Sequence, residues 1–261
     1  MLTKRLIACF DIIGGRVTKA IKFQDNIDVA PAEELAAAMY ESQIDELIFY
    51  DITASNEKRP IDIETVGKIA KHLFIPFTVG GGIKDLNDMY EALGAGAEKI
   101  SVDSMAVRNP RIIADGAKAF GSQCVVLSTQ VKREPKMPCG YEVYIDGARE
   151  ATGMDALEWL KQGQELGAGE ICLNSIDNDG TLQGYDLELL KAVGAAVSVP
   201  LIASGGAGNP RHLCDLFNQT QAGAAIISSM LYSPRLERNY TVSELKKTLT
   251  ESGIHVRPYN Y

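Results

Sequence analysis

Two glycine-rich turns carry the first chemical signal in this chain. Gly80-Gly81-Gly82 closes one apolar run and Ser204-Gly205-Gly206-Ala207-Gly208 closes another. Glycine admits positive φ and a close ligand approach, so successive amide N–H groups in such turns can point at an anion. Ser104 ends the run after the first turn, and Ser228 and Ser229 end the run after the second. A helix starting at each serine would add partial positive charge. The pattern predicts two phosphate cradles, one of Gly81, Gly82 and Ser104, the other of Gly205, Gly206, Ser228 and Ser229. Either turn alone reads equally well as a plain tight turn. Asp11 ends the apolar run LIACFD and is a candidate for acid–base chemistry; its alternative reading is a cap or turn former. The sequence has no H-E-x-x-H and no Cys/His cluster, and His72, His212 and His255 stand apart, so no metal site is expected.

Eight short apolar or β-branched runs would hold these residues: 6–10, 47–50, 76–79, 99–102, 124–127, 170–173, 200–203 and 224–227. Stretches with helical spacing lie between most of them, such as Pro31–Tyr40 and Ala156–Leu166. Strand and helix signals in alternation predict a parallel sheet, and eight units predict closure rather than an open doubly wound sheet. Internal repetition supports closure. IPFTVGGG (75–82) aligns with VPLIASGG (199–206), and DELIFYDIT (45–53) with GEICLNSID (169–177), at one common offset; Ser104-Met105 aligns with Ser229-Met230 one residue further. The expected fold is a (β/α)8 (TIM) barrel built as two half-barrel repeats, one domain over residues 1–261. Strand ends on opposite sides of its mouth would then carry the two cradles, suiting a small molecule with a phosphate at each end. The least regular stretch is Lys132–Gly140, followed by the strand-like YEVYIDG.

The bulk properties fit an enzyme of this kind. A chain of 261 residues with 46% hydrophobic and 23% charged residues has the make-up of a globular protein. A net charge of −8 argues against nucleic acid or an anionic membrane as partner, but not against a small anion held by backbone amides. The five cysteines are odd in number and scattered without a CxxC pair, as in reduced core residues of a cytoplasmic protein. The sequence offers no secretory leader at its start and no run long enough for a membrane span.

The motifs KRLIACFD (4–11), IDELIFYDITAS (44–55), FTVGGGI (77–83), EKISVDS (98–104), GAGEICLNSIDNDGTLQGYD (167–186) and IASGGAG (202–208) resemble the HisF family, the cyclase subunits of imidazole glycerol phosphate synthase. The resemblance implies a (β/α)8 barrel that takes ammonia from a glutaminase partner and uses no metal or redox cofactor. It also implies a substrate, phosphoribulosyl formimino aminoimidazole carboxamide ribotide, that is cleaved and cyclised to imidazole glycerol phosphate and aminoimidazole carboxamide ribotide. Family aspartates at the ends of strands one and five handle the protons. Asp11 fills the first place, and Lys19 in GGRVTK matches a lysine on a loop that closes over the substrate. Asp51, Thr53 and Ser55 end the second strand and Asp177 with Asp179 the sixth; Asp177 and Thr181 resemble groups that line the family's second phosphate pocket, while DNDG also reads as a simple turn.

Two positions depart from the family. Gln130 stands in place of the second aspartate, and a carboxamide exchanges no proton near neutral pH. Asp103 stands where the family usually has asparagine. One expectation is an exchange of roles, Asp103 taking the proton transfer and Gln130 the orientation of substrate. Against it, an ionised carboxylate beside Ser104 would repel a phosphate.

Arg5, Glu46, Lys99 and Glu170 begin the first, second, fourth and sixth strands, which puts alternating charges on the barrel floor. In the family these positions form the gate through which ammonia enters from a glutaminase docked on the N-terminal face; the alternative is a structural plug of ion pairs. Three functions remain open at this level. The first is the histidine-biosynthetic cyclase. The second is a paralogue receiving ammonia for amidino-sugar formation in surface polysaccharides. The third is a non-catalytic barrel that binds the ligand and activates its glutaminase.

Overall fold

The computed structural model describes residues 2–21, 24–54, 57, 59–233 and 236–258. Its elements follow one succession twice. The first half runs β1 (Arg5–Ile13), β2 (Arg16–Ile21), β3 (Gln24–Pro31), α1 (Ala32–Glu41), β4 (Glu46–Asp51), α2 (Ile63–Ala70), β5 (Phe77–Gly80), α3 (Leu86–Gly94), β6 (Lys99–Val102), α4 (Ser104–Arg108) and α5 (Arg111–Phe120). The second half runs β7 (Val125–Arg133), β8 (Tyr141–Ile145), β9 (Glu150–Asp155), α6 (Ala156–Glu165), β10 (Glu170–Ser175), α7 (Leu187–Ala196), β11 (Leu201–Ser204), α8 (Pro210–Gln219), β12 (Ala224–Ile226), α9 (Ser228–Tyr232) and α10 (Val242–Glu251). Each half therefore has three strands, one helix, two further strand–helix pairs, and a strand with a short and a long helix.

Eight of the strands close a ring by parallel pairing, in the order β1, β4, β5, β6, β7, β10, β11, β12 and back to β1. The expected (β/α)8 barrel is thus present and closed. The remaining four strands are two antiparallel hairpins, β2–β3 growing from β1 and β8–β9 growing from β7.

The hairpins correct two readings of the sequence. Lys19 lies on strand β2, not on an open loop. Gly14 and Gly15 have φ of 55° and 76°, and two positive φ values in a two-residue connection are what a tight antiparallel turn requires. Similarly, Lys132 and Arg133 continue strand β7 instead of starting an irregular stretch, because β8 pairs with them.

Period-two alternation divides the core. Along β1, Leu6, Ala8, Phe10 and Ile12 face outward into the large cluster shared with the helices. Ile7 and Cys9 face inward, with Ile48, Val126, Cys172, Ile202, Ala224 and Ile226. Paired residues of a parallel ladder share a face, so register carries this inward set around the whole ring.

The glycines after β5 and β11 are fixed by their neighbours. A Cβ on Gly81 (φ 88°) would lie 2.2 Å from the Asp51 carbonyl oxygen, and one on Gly206 (φ 102°) 1.9 Å from that of Gly184. Each turn leans against the loop leaving the preceding strand, the same device in both halves. Gly206→Ala is therefore expected to cost about 2–4 kcal/mol, from left-handed strain and backbone collision together. Urea unfolding of the variant checks this; an unshifted midpoint would contradict it.

Candidate active site

The inward residues form three levels along the barrel axis. On the floor, Arg5 Nη1 donates to Glu46 Oε1 (2.7 Å) and Arg5 Nη2 to Glu170. Lys99 Nζ reaches Glu170 Oε2 (2.8 Å) and Glu46 Oε2 (3.4 Å), closing a ring of four opposite charges. Both carboxylates are buried, at 3% and 4% exposure, and each meets two cations, which offsets the desolvation that would make a lone buried charge untenable. Burial works against the Arg5 charge, but Glu170 and Glu46 outweigh it and raise its pKa. The four residues singled out in the sequence as a gate are thus brought into one cluster.

The middle level is apolar, apart from Thr78, Ser101, Ser128 and the Tyr50 phenol. The Tyr50 hydroxyl lies 3.0 Å from Ser101 Oγ. Its ring occupies space left by Gly80, where a Cβ would come within 2.8 Å of it. Burial pushes the phenol well above its usual pKa, so it stays neutral.

The mouth level gathers Asp11, Asp103, Gln130, Asn174 and Ser204. Register places Asp11 beside Tyr50, and Asn174 between Gln130 and Ser204. Asp103 follows β6 two residues beyond inward-facing Ser101. Lys19 Nζ stands 3.5 Å from Asp11 Oδ2. Burial disfavours the lysine charge, yet Asp11 first, then Tyr232 and Asp179, more than reverse this, so its pKa is raised and it remains a cation. Asp179 reaches the same group from the loop after β10; burial pushes its carboxyl up to about 6, against the pull of Lys19. Across the mouth, Gln130 Nε2 donates to Asp103 Oδ2 at 2.7 Å. Burial raises the Asp103 carboxyl to about 7, with the Gln130 hydrogen bond opposing and Asp146 adding to the rise.

The other residues singled out in the sequence divide by their contacts. Ser104 Oγ accepts the Asp146 N–H at 2.9 Å. Ser228 Oγ accepts the Cys9 N–H (2.7 Å) and donates to the Cys9 carbonyl (2.8 Å), joining the end of β12 to β1. Ser229, one residue on, is half-buried. Asp177 Oδ2 accepts the Arg133 N–H at 2.8 Å and so holds the far end of β7. Asp51 is gripped by Arg59, whose Nη2 also reaches Thr53, and it caps its own loop through the Ala54 N–H. Ser55 lies outside the described residues. Sequence reasoning missed Asn174 and Tyr50. Both were within reach of the alternation rule, since Asn174 follows Glu170 and Cys172, and Tyr50 follows Glu46 and Ile48, in steps of two.

A closed barrel with a charged floor, an apolar lumen and acid–base groups at the C-terminal mouth defines a (β/α)8-barrel enzyme. Comparison with known proteins gives the particular family. The model of the histidine biosynthesis protein family matches residues 5–237. Imidazole glycerol phosphate synthase subunit HisF of Desulfatibacillum aliphaticivorans is 52% identical over 260 residues, covering 98% of both chains. The HisF subunits of Desulfosudis oleivorans and Syntrophobacter fumaroxidans are 51% and 50% identical over the same length, covering 98% of this chain and 99% of theirs. The chain belongs to the HisF family. No helix among the described residues is long and apolar enough to cross a membrane.

Proposed function

We propose that this chain is the cyclase subunit of an imidazole glycerol phosphate synthase and works in histidine biosynthesis in the cytoplasm. Ammonia released by a glutaminase docked on the N-terminal face passes the floor ring and rises through the lumen to a bisphosphorylated ribotide at the mouth. The carrying observation is the single inward row Arg5, Ile7, Cys9, Asp11, which runs from charged floor through apolar lumen to acid. An apolar passage suits neutral ammonia better than ammonium, whose charge would be desolvated there.

At the mouth, nitrogen addition, loss of the carbonyl oxygen and departure of an amine all need proton transfers. Asp11 is placed to take the proton that ammonia sheds. Lys19 pairs with Asp11 and offers positive charge to the substrate. The phosphates go to the two turns, one to the amides of Gly81, Gly82 and Ser104, the other to Gly205, Gly206 and Ser229 with Ser228 supporting from the wall. Asp177 orders the loop around the second of these.

The test is direct. Purified chain with an ammonium salt and the ribotide should consume the substrate absorbance without any partner. Binding without turnover would select the glutaminase-activating reading, which Gln130 favours; neither would select an amidino-sugar relative. With the glutaminase added, Lys99→Met is expected to lower glutamine-driven turnover more than ammonium-driven turnover, since it breaks the floor ring and leaves the mouth intact. Parallel assays with the two nitrogen sources check this, and equal losses would speak against passage through the floor.

A further inference from the structure

We infer that Asp103 is the proton donor facing Asp11 across the mouth and that Gln130 is its positioning residue. This inference rests on the cyclase reading above and names the second half of its acid–base pair.

Three observations carry it. First, residue 103 continues the inward row Lys99, Ser101 on β6, as Asp11 continues Arg5, Ile7 and Cys9 on β1. Second, Gln130 Nε2 donates to Asp103 Oδ2 at 2.7 Å, a bond that orients the carboxyl whether it is ionised or protonated on its other oxygen. Gln130 Oε1 is then the leftover acceptor, and it is buried without a hydrogen-bond partner among the described residues. Third, Asn174, the register partner of Gln130, has a buried Oδ1 in the same condition. Two unpaired buried acceptors on adjoining strands are costly, and native proteins accept such a cost at catalytic positions.

The surroundings of Asp103 set its titration. Gln130 faces it from β7 and Asp146 from the β8–β9 turn, where Arg108 of α4 pairs with Asp146. Cys172 faces it from β10, its thiol pushed up to about 12 by burial and therefore neutral. With a value of about 7, the carboxyl is substantially protonated at neutral pH. A neutral acid beside Ser104 does not repel a phosphate there, which removes the electrostatic objection to a carboxyl at this position.

In the step where the formimino carbon exchanges nitrogens, ammonia-derived nitrogen forms the new C–N bond and gives its proton to the Asp11 carboxylate. The old C–N bond breaks with its electron pair on the departing amine, which takes the Asp103 proton. Solvent returns both carboxyls to their starting states.

The experiment measures ammonium-driven kcat, KM and pH profile, with rates referred to free ammonia, for wild type, Asp103→Asn, Gln130→Ala and the exchange D103N/Q130D. Asp103→Asn should lower kcat by roughly 10²–10⁴-fold with KM little changed, and should erase the fall in rate as pH rises through about 7. Gln130→Ala should move that fall to higher pH, because its hydrogen bond lowers the Asp103 pKa. A purely structural glutamine would not move it. The exchange should recover part of kcat. Asp103→Asn with wild-type kcat and an unmoved profile overturns the inference alone, as does an unmoved profile in Gln130→Ala. An inactive wild type overturns the cyclase reading itself.

Discussion

Asp11→Asn is expected to reduce ammonium-driven turnover by roughly 10²–10⁴-fold while the chain still binds its bisphosphorylated substrate. Asparagine keeps the shape of the side chain, so the Asp11–Thr18 pairing that roots hairpin β2–β3 is undisturbed. What is lost is the group that accepts a proton, together with the counter-ion of Lys19 3.5 Å away. Asp11 is the largest of the groups that hold the lysine charged against burial, so the Lys19 pKa falls in the variant. Both changes bear on the transition state more than on the phosphates, which are held from the turns. The loss should therefore lie in kcat, with KM shifting by much less. Steady-state assays with saturating ammonium separate the two; a KM effect with unchanged kcat would assign Asp11 to binding instead.

The second large effect concerns stability far from the mouth. Lys246 on α10 and Asp45, just before β4, form an ion pair at 2.7 Å with both side chains 1% exposed. Lys246 Nζ also donates to the Gln43 carbonyl, and Asp45 Oδ2 accepts the Leu6 N–H at the start of β1. The pair thus ties the last long helix to the first two strands of the ring. Lys246→Met keeps the volume and removes the charge, leaving Asp45 buried with one backbone donor. An uncompensated buried charge of this kind costs about 3–5 kcal/mol. For a chain of this size, that lowers Tm by roughly 6–15 °C. Calorimetry checks it, and adding Asp45→Asn to the variant should recover part of the loss, since the stranded charge then disappears. Equal Tm values for wild type and Lys246→Met would show that water or a rearranged neighbour solvates Asp45.

Much of this could be read from local pattern. Eight β-branched runs, their alternation with helical stretches, and the common offset of the two halves were enough for a closed barrel with twofold repeats. Arg5, Glu46, Lys99 and Glu170 were legible as a floor because each begins a run, and Asp11 as a mouth residue because it ends one. The hairpins were not, since GGRVTK has turn residues that fit any loop until strands pair on either side. Tyr50 and Asn174 sat in plain alternation but looked like ordinary strand residues.

The residue types and their periods of two and 3.6 determined which side chains face the lumen and at what height, because strand geometry is a property of the local backbone. Only the tertiary structure decided which of those side chains meet. Ring closure put Gln130 against Asp103, laid the Tyr50 ring into the gap at Gly80, and pressed the Gly81 and Gly206 turns onto neighbouring loops. It also set the burial that raises the Asp103 carboxyl to about 7 and the neighbouring charges that hold Lys19 cationic, which depend on what is packed around a group and not on what precedes it in the chain.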